Sequence, residues 1–474
     1  MAPEYPFFLA GQFRRSSQPL EVISPYDGQV VGITFYAEAS DLEEATQAAQ
    51  ESFPVLRSLP AYERSSILGR IAQGVRQEKD YLARIIALEA GKPIRDSAFE
   101  VERAIFTFET GSEEARRLGG EVLPLDLLPH ARGRLGIVRR FPIGPIAAIT
   151  PFNFPLNLAA HKVAPAIACG NPVVLKPPSK TPLTMLAVAR IIAESGLPRG
   201  ALSVLPMARE VDHKLASDPR FKLLSFTGSA EVGWGLKARA GKKKVLLELG
   251  GNAGVIVDRD ADVEHAAGRI SAGSFSYAGQ SCISVQRVYV HQDIFQPFAQ
   301  ALLERVSGIK MGDPLDPETG LGPMVDEGAV ARTQAWVEEA VAQGARVLAG
   351  GRAQGRFFQP TVLTDVDPAS KVCSMEVFAP LVNLFSFRDF KDAVARVNDS
   401  AYGLQAGVFT GSLANSFYAF QELEVGGVIV NDIPSFRIDH MPYGGVKDSG
   451  QGREGIRSAI EEMTEPKIMV VGGI

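Results

Sequence analysis

Two residues of this chain could carry covalent chemistry on an electrophile: Glu248, which opens Glu248-Leu249-Gly250-Gly251, and Cys282, which closes Gly279-Gln280-Ser281-Cys282. A reactive thiol needs an open approach, and flanking glycines let substrate and backbone come close. A carboxylate nearby can serve as general base for the thiol or for a later water. A lone cysteine is commonly a small buried hydrophobe, and that reading suits Cys169 and Cys373. Cys282 differs because a polar, mobile stretch precedes it. Asn153, between Phe152 and Phe154, is either an amide donor for a developing oxyanion or a turn asparagine before Pro155.

A dinucleotide could bind where residues 223–233 read as strand, glycine turn and helix start, with Gly228, Ser229 and Gly233 in the turn and first helical turn. Free N–H groups and the positive end of a helix suit a pyrophosphate. Ala230 replaces the middle glycine of the usual fingerprint, so an ordinary strand-to-helix turn is the competing reading. A second apolar strand ends at Lys176, followed by Pro177-Pro178-Ser179-Lys180. That lysine could reach ribose hydroxyls or simply end a strand at the surface.

The elements that position these residues are of two kinds. Up to about residue 35 the chain reads as short strands and turns, and Ser40 with Glu43 predicts a capping box at the start of a helix. Helical spacing continues over 65–77, 81–90 and 98–118. From Leu135 apolar runs of strand length alternate with helical segments, which predicts α/β architecture with two doubly wound parallel sheets covered by helices. The alternation restarts after Gly250-Gly251, where a boundary is expected.

At 474 residues, two or three domains are expected. Lys and Arg number 49 against 54 Asp and Glu, a net charge of −5 with the signs interspersed, which offers nothing to nucleic acid or an anionic membrane. Three widely spaced cysteines and six scattered histidines give neither a disulfide framework nor a metal site. An acid and two prolines at the N-terminus do not resemble a signal peptide, and no run reaches the roughly 20 apolar residues that span a bilayer. A cytoplasmic location is expected.

Taken together, the Glu248 and Cys282 segments, Thr150-Pro151-Phe152-Asn153-Phe154-Pro155 and Phe226-Thr227-Gly228-Ser229 resemble the aldehyde dehydrogenase superfamily from about Ile23 to Glu465. The resemblance implies that Cys282 attacks the aldehyde to give a thiohemiacetal. Hydride transfer to a nicotinamide then leaves a thioester, which water hydrolyses with Glu248 as base. Asn153 and the Cys282 N–H would form the oxyanion hole, and Lys162 would tune the electrostatics and order water. Cofactor contacts are expected from Thr150, Pro151, Phe152, Lys176, Ser179, Gly228, Ser229, Val232, Gly233, Leu249 and Gly250. Glu376 and Phe378, in a Glu-x-Phe-x-Pro motif, would hold the nicotinamide ribose and ring. Ser179 stands where NAD-selective members carry a glutamate. With Lys180 and Lys222 adding charge, NADP is the expected cofactor, and NAD is not excluded.

Substrate contacts implied by the resemblance are Arg103, Phe154, Ser281, Ile283 and Arg437. The two arginines either bind a hydroxyl, phosphate, phosphonate or carboxylate group or are salt-bridge partners. The chain looks like the branch of lactaldehyde and non-phosphorylating glyceraldehyde-3-phosphate dehydrogenases, with phosphonoacetaldehyde and succinate semialdehyde enzymes as neighbours. Ser281, rather than arginine, before the nucleophile argues against a dedicated phosphate-aldehyde site. A lactaldehyde-like substrate is the leading expectation. A CoA-acylating or thioesterase relative and a catalytically silent one are the alternatives. Residues 1–119 and 136–249 are assigned to a dinucleotide-binding domain and 250–440 to a catalytic domain. By resemblance, 120–135 and 463–474 form a β-ribbon for a homodimer or homotetramer.

Overall fold

The computed structural model describes residues 2–208 and 212–473. Its first sheet has eight strands, and the central five are parallel: Leu202–Val204, Val173–Lys176, Ile146–Ile149, Leu223–Thr227 and Lys244–Glu248. Ile146–Ile149 and Val173–Lys176 are buried throughout, as strands covered on both faces must be. Thr227 and Glu248 are register partners at the ends of neighbouring strands, so the glycine turn and the carboxylate emerge side by side.

The second sheet has seven strands, from Arg346–Ala349 at one edge to Gly427–Val430 at the other. Only Arg346–Ala349 runs antiparallel. A third, three-stranded antiparallel sheet is formed by Thr464–Gly472, Arg134–Pro142 and Gly120–Pro124. Among the described residues no helix is long and apolar enough to cross a membrane.

Two expectations change, and one unassigned stretch finds its place. The middle ribbon strand continues to Pro142, so 136–142 belong to the ribbon rather than to the nucleotide-binding lobe; pairing on both edges holds the strand together past Leu135. The first long helix starts at Ala39, and its capping box uses Glu38 and Asp41, with Asp41 accepting from the Glu38 N–H at 2.8 Å; Ser40 lies inside the helix. The stretch after 440 returns to the first lobe. There Gly450 pairs with Glu248, and helix Ile456–Glu462 packs Ile456 and Ile460 into that lobe's core. Gly450 has φ +147°, and a Cβ there would meet the Leu247 carbonyl at 2.1 Å, so only glycine permits this return.

Candidate active site

Both lobes contribute to one cavity of about 540 Å³. Cys282, half-buried, opens into it from the second lobe. The preceding turn is left-handed at Tyr277, Ala278 and Gly279 (φ 49°, 53° and 67°), a conformation costly for the first two. A Cβ on Gly279 would lie 2.1 Å from the Ala379 carbonyl, which explains the glycine. Gln280 is fully buried; its side-chain oxygen accepts from the Val325 N–H at 2.8 Å and its amide donates to the Tyr277 carbonyl at 3.3 Å. The thiol is thus delivered by a locked turn.

Burial pushes the Cys282 thiol up to about 12; a hydrogen bond with Tyr443 and the charge of Arg437 pull it down, and Glu376 and Glu248 push it up. It is therefore protonated near neutrality, and attack needs a base. Cys169 and Cys373 are buried, as a packing role requires.

Glu248 ends its strand buried, and its Oε2 has no hydrogen-bond partner among the described residues. Burial, then the charge of Glu454, raises its pKa well above the ordinary carboxylate value; Arg437 and Lys162 oppose the rise. Burial works against ionisation of Glu454 too, but Lys162, His161 and Arg437 outweigh it and hold that carboxyl low. Two neighbouring acids thus have opposite protonation preferences, an arrangement suited to proton transfer. Lys162 does not line the cavity. Its ammonium donates to Ser225 Oγ at 2.9 Å and Thr227 Oγ1 at 2.8 Å and pairs with Glu454 behind Glu248.

Asn153 lines the cavity and gives one amide proton to the Gln280 carbonyl at 3.0 Å. That bond orients the amide and leaves its second proton available. The Asn153 Oδ1 is buried without a partner among the described residues.

Along the cleft, Thr150, Pro151, Phe152, Lys176, Ser179 and Lys180 line one wall. Gly228, Ser229, Val232, Leu249 and Gly250 line the next, and Glu376 and Phe378 close the far side. Helix Ala230–Arg239 begins at Ser229, whose side chain makes no capping bond, so first-turn N–H groups stay available to a ligand. A Cβ on Gly250 would lie 2.5 Å from Glu376 Oε2, and one on Gly228 2.6 Å from the Phe226 ring. Burial pushes Glu376 up to about 7, and its carboxylate accepts the Gly251 N–H at 3.0 Å. Phe378, itself at φ 53°, stands edge-on to Phe152 at 5.9 Å. An open helix end, a buried carboxylate and positions cleared of Cβ atoms fit a dinucleotide.

Two expected cofactor residues lie elsewhere. Lys222 precedes strand Leu223–Thr227, at the end opposite the glycine turn, and borders a separate surface pocket with Lys242 and Lys244. A strand of that length spans about 16 Å, beyond a lysine's reach. Gly233 is buried away from the cavity; a Cβ there would strike Leu249 at 2.4 Å, so its role is packing. Lys180 lines the cleft but is ion-paired with Asp326.

Phe154, Ser281, Ile283, Arg103 and Arg437 all line the cavity. The two readings of the arginines hold together. Arg103 grips Asp439 with two bonds of 3.0 and 2.6 Å. Arg437 is buried, within 3.3 Å of Glu454 and 3.7 Å from the Tyr443 ring centroid, and its Nε lies 3.6 Å from Asp439 Oδ1. Asp439 also accepts from Asn157, 3.1 Å away, and meets His161 at 2.7 Å. Burial notwithstanding, His161 and Arg103 hold its carboxyl far below the usual range. Sequence reasoning did not single out Tyr443, whose hydroxyl lies 3.2 Å from the Cys282 sulfur, or Arg332, which lines the cleft from a helix with no motif. Only the phenol beside Gly444-Gly445 offered a signal.

A buried acid, a thiol and an oriented amide around a dinucleotide cleft define a class, and the comparisons name it. The chain belongs to the aldehyde dehydrogenase family, whose model matches residues 13–469. It is an NAD(P)-dependent oxidoreductase acting on aldehydes. It is 42% identical over 469 residues to a 3-sulfolactaldehyde dehydrogenase of Priestia aryabhattai, covering 99% of this chain and 98% of that one. Aldehyde dehydrogenase 21 of Physcomitrella patens, solved with its reaction product succinate, superposes with a TM-score of 0.99 at 44% identity over 100% of this chain and 99% of that one. The glyceraldehyde-3-phosphate dehydrogenase GapN of Methanocaldococcus jannaschii, solved with NADP, gives a TM-score of 0.92 at 38% identity over 96% and 99%.

Proposed function

We propose that the protein oxidises a short aldehyde of the lactaldehyde type, carrying a hydroxyl and an anionic group at its far end, to the free acid with NADP. The carrying observation is that Arg103 and Arg437 line the same cavity as Cys282, Asn153 and Glu248. Both guanidinium groups border the cavity while paired with Asp439 and Glu454, and a planar multi-donor cation at the cavity wall suits an anionic substrate group. The 3-sulfolactaldehyde that one relative is named for and the succinate bound to another both carry an anionic group.

Glu248 takes the thiol proton, and the sulfur attacks the carbonyl carbon. Asn153 Nδ2 and the Cys282 N–H receive the oxygen's developing charge, a contribution of about 10²–10³ in rate for one such donor. Bound in the cleft, the nicotinamide supplies the hydride acceptor. After giving that proton up to solvent, Glu248 activates the water that releases the acid from the Cys282 thioester, so no CoA is required. Ser179 at the cleft wall, without a carboxylate side chain of its own, supports acceptance of a ribose 2′-phosphate.

A panel of lactaldehyde, sulfolactaldehyde, succinate semialdehyde, glyceraldehyde 3-phosphate, phosphonoacetaldehyde and unsubstituted propanal, each with NADP and NAD and with Cys282→Ala as blank, tests this reading. Higher kcat/KM for the anionic or hydroxylated aldehydes than for propanal is expected, with NADP at least matching NAD. Equal use of propanal, or a preference for NAD of about a hundredfold (about 2.7 kcal/mol), overturns it.

We also infer that the three-stranded ribbon joins copies of the chain into a homodimer or homotetramer. Leu127, Ile468, Met469 and Val470 are at least 48% exposed there, a concentration of apolar surface that self-association would cover. Light scattering in solution should give a multiple of 50.9 kDa; the monomer mass at micromolar concentration refutes the inference.

A further inference from the structure

Tyr443 is 3% exposed and packs with Ile283 and Leu404 against Cys282. Its place is fixed by backbone bonds exchanged with Glu454, at 3.0 and 2.6 Å. Its hydroxyl, 3.2 Å from Sγ, makes the only side-chain hydrogen bond to that sulfur among the described residues. The Arg437 guanidinium lies 3.7 Å from the ring centroid. A cation over the face of a phenol stabilises developing charge on the ring system and makes its O–H a stronger donor.

Four groups face the sulfur with charge or a titratable proton. Tyr443 and Arg437 come from the C-terminal loop, Glu248 from the end of its strand, and Glu376 from the loop after Ser374. Tyr443 and Arg437 favour an ionised sulfur, and the two carboxylates oppose it. Burial first, and the nearby Cys282, keep the phenol's own proton in place well beyond its ordinary range. Facing a thiolate, the phenol can therefore only be the donor.

Resting on the reading of Cys282 as nucleophile, we propose that Tyr443 is a catalytic residue whose O–H donates to the Cys282 sulfur, stabilising the thiolate and aiming it at the carbonyl carbon. The S–H bond breaks with its proton passing to the Glu248 carboxylate. The electron pair stays on sulfur and forms the S–C bond, while the carbonyl π pair moves to oxygen. Tyr443 keeps its proton throughout. Hydrogen bonds from a neutral donor to an ion are among the stronger ones, so the effect should be measurable.

The test is alkylation of Cys282 by iodoacetamide in the cofactor-free enzyme, followed at that residue by mass spectrometry from neutral to alkaline pH. In Tyr443→Phe the midpoint should rise by about one pH unit, with labelling near neutrality about tenfold slower. With 3-fluorotyrosine incorporated at position 443, a stronger acid, the midpoint should fall; this arm decides the matter if the phenylalanine variant does not fold. Unchanged midpoints in both, alongside an inactive Cys282→Ala, overturn the role of Tyr443 and leave the nucleophile standing. Turnover by Cys282→Ala instead sinks the underlying reading.

Discussion

Glu248→Gln should slow the first equivalent of reduced cofactor as well as later turnovers, since one carboxylate serves both thiol and water, with steady-state turnover down about 10²–10⁴-fold. The substitution keeps the shape of the side chain but removes its capacity to accept a proton from water. The thioester on Cys282 would therefore persist, visible by mass spectrometry as an acylated peptide. The unpartnered Oε2 leaves room for that water to be the missing hydrogen-bond partner. The pH dependence has a definite sign. Because burial and Glu454 raise the pKa of Glu248, its base form is lost as pH falls through that raised value. Steady-state turnover should climb with pH and level off in the unsubstituted enzyme and stay flat in the variant. A variant with unchanged turnover, or one in which no acylated Cys282 peptide accumulates, would show that Glu248 does not serve deacylation.

Lys92→Met should cost about 3–5 kcal/mol of stability, the largest effect expected from any change away from the reacting atoms. Lys92 is fully buried and ion-paired with Glu100. Its ammonium also sits 3.7 Å from the Phe154 ring centroid and 4.5 Å from that of Tyr277, tying a cavity wall to the strained turn before Cys282. Glu100 uses its other oxygen to accept the N–H groups of Leu156 and Asn157 at 2.9 and 3.2 Å, capping the helix that carries His161 and Lys162. Removing the ammonium strands a carboxylate in the interior. A lower urea midpoint is expected, with partial recovery in Lys92→Met/Glu100→Gln, where no unpaired charge remains. A midpoint equal to that of the unsubstituted protein would refute the argument.

What could be read from the chain was what local pattern encodes. Apolar strands buried on both faces announced parallel sheets, and the strand-turn-helix at 223–233 announced a helix end open to a ligand. The failures are failures of distance and direction. Lys222 and Gly228 are six positions apart in sequence, but the intervening strand sets them at its opposite ends. Arg103 and Asp439 meet across 336 positions, and no local rule could pair them or show that one arginine both lines the cavity and is ion-paired. Tyr443 was not singled out for the same reason, since a phenol beside two glycines matters to a thiol only once the chain has folded back. The ribbon strand outran its expected end at Leu135 because sequence does not show its pairing, on both sides as far as Arg139 and on one side to Pro142.

The return of the C-terminal stretch also governs when the protein becomes reactive during its manufacture. A chain emerging from the ribosome can shape its first lobe early, since most of that lobe precedes Gly250. Yet the partner strand beside Glu248 and the phenol beside the sulfur arrive only with residues 443–451, Tyr443 lying 161 positions after Cys282. Until then the thiol has no phenol beside it and the acid no pairing strand, so a chain cut before Tyr443 is expected to lack aldehyde oxidation.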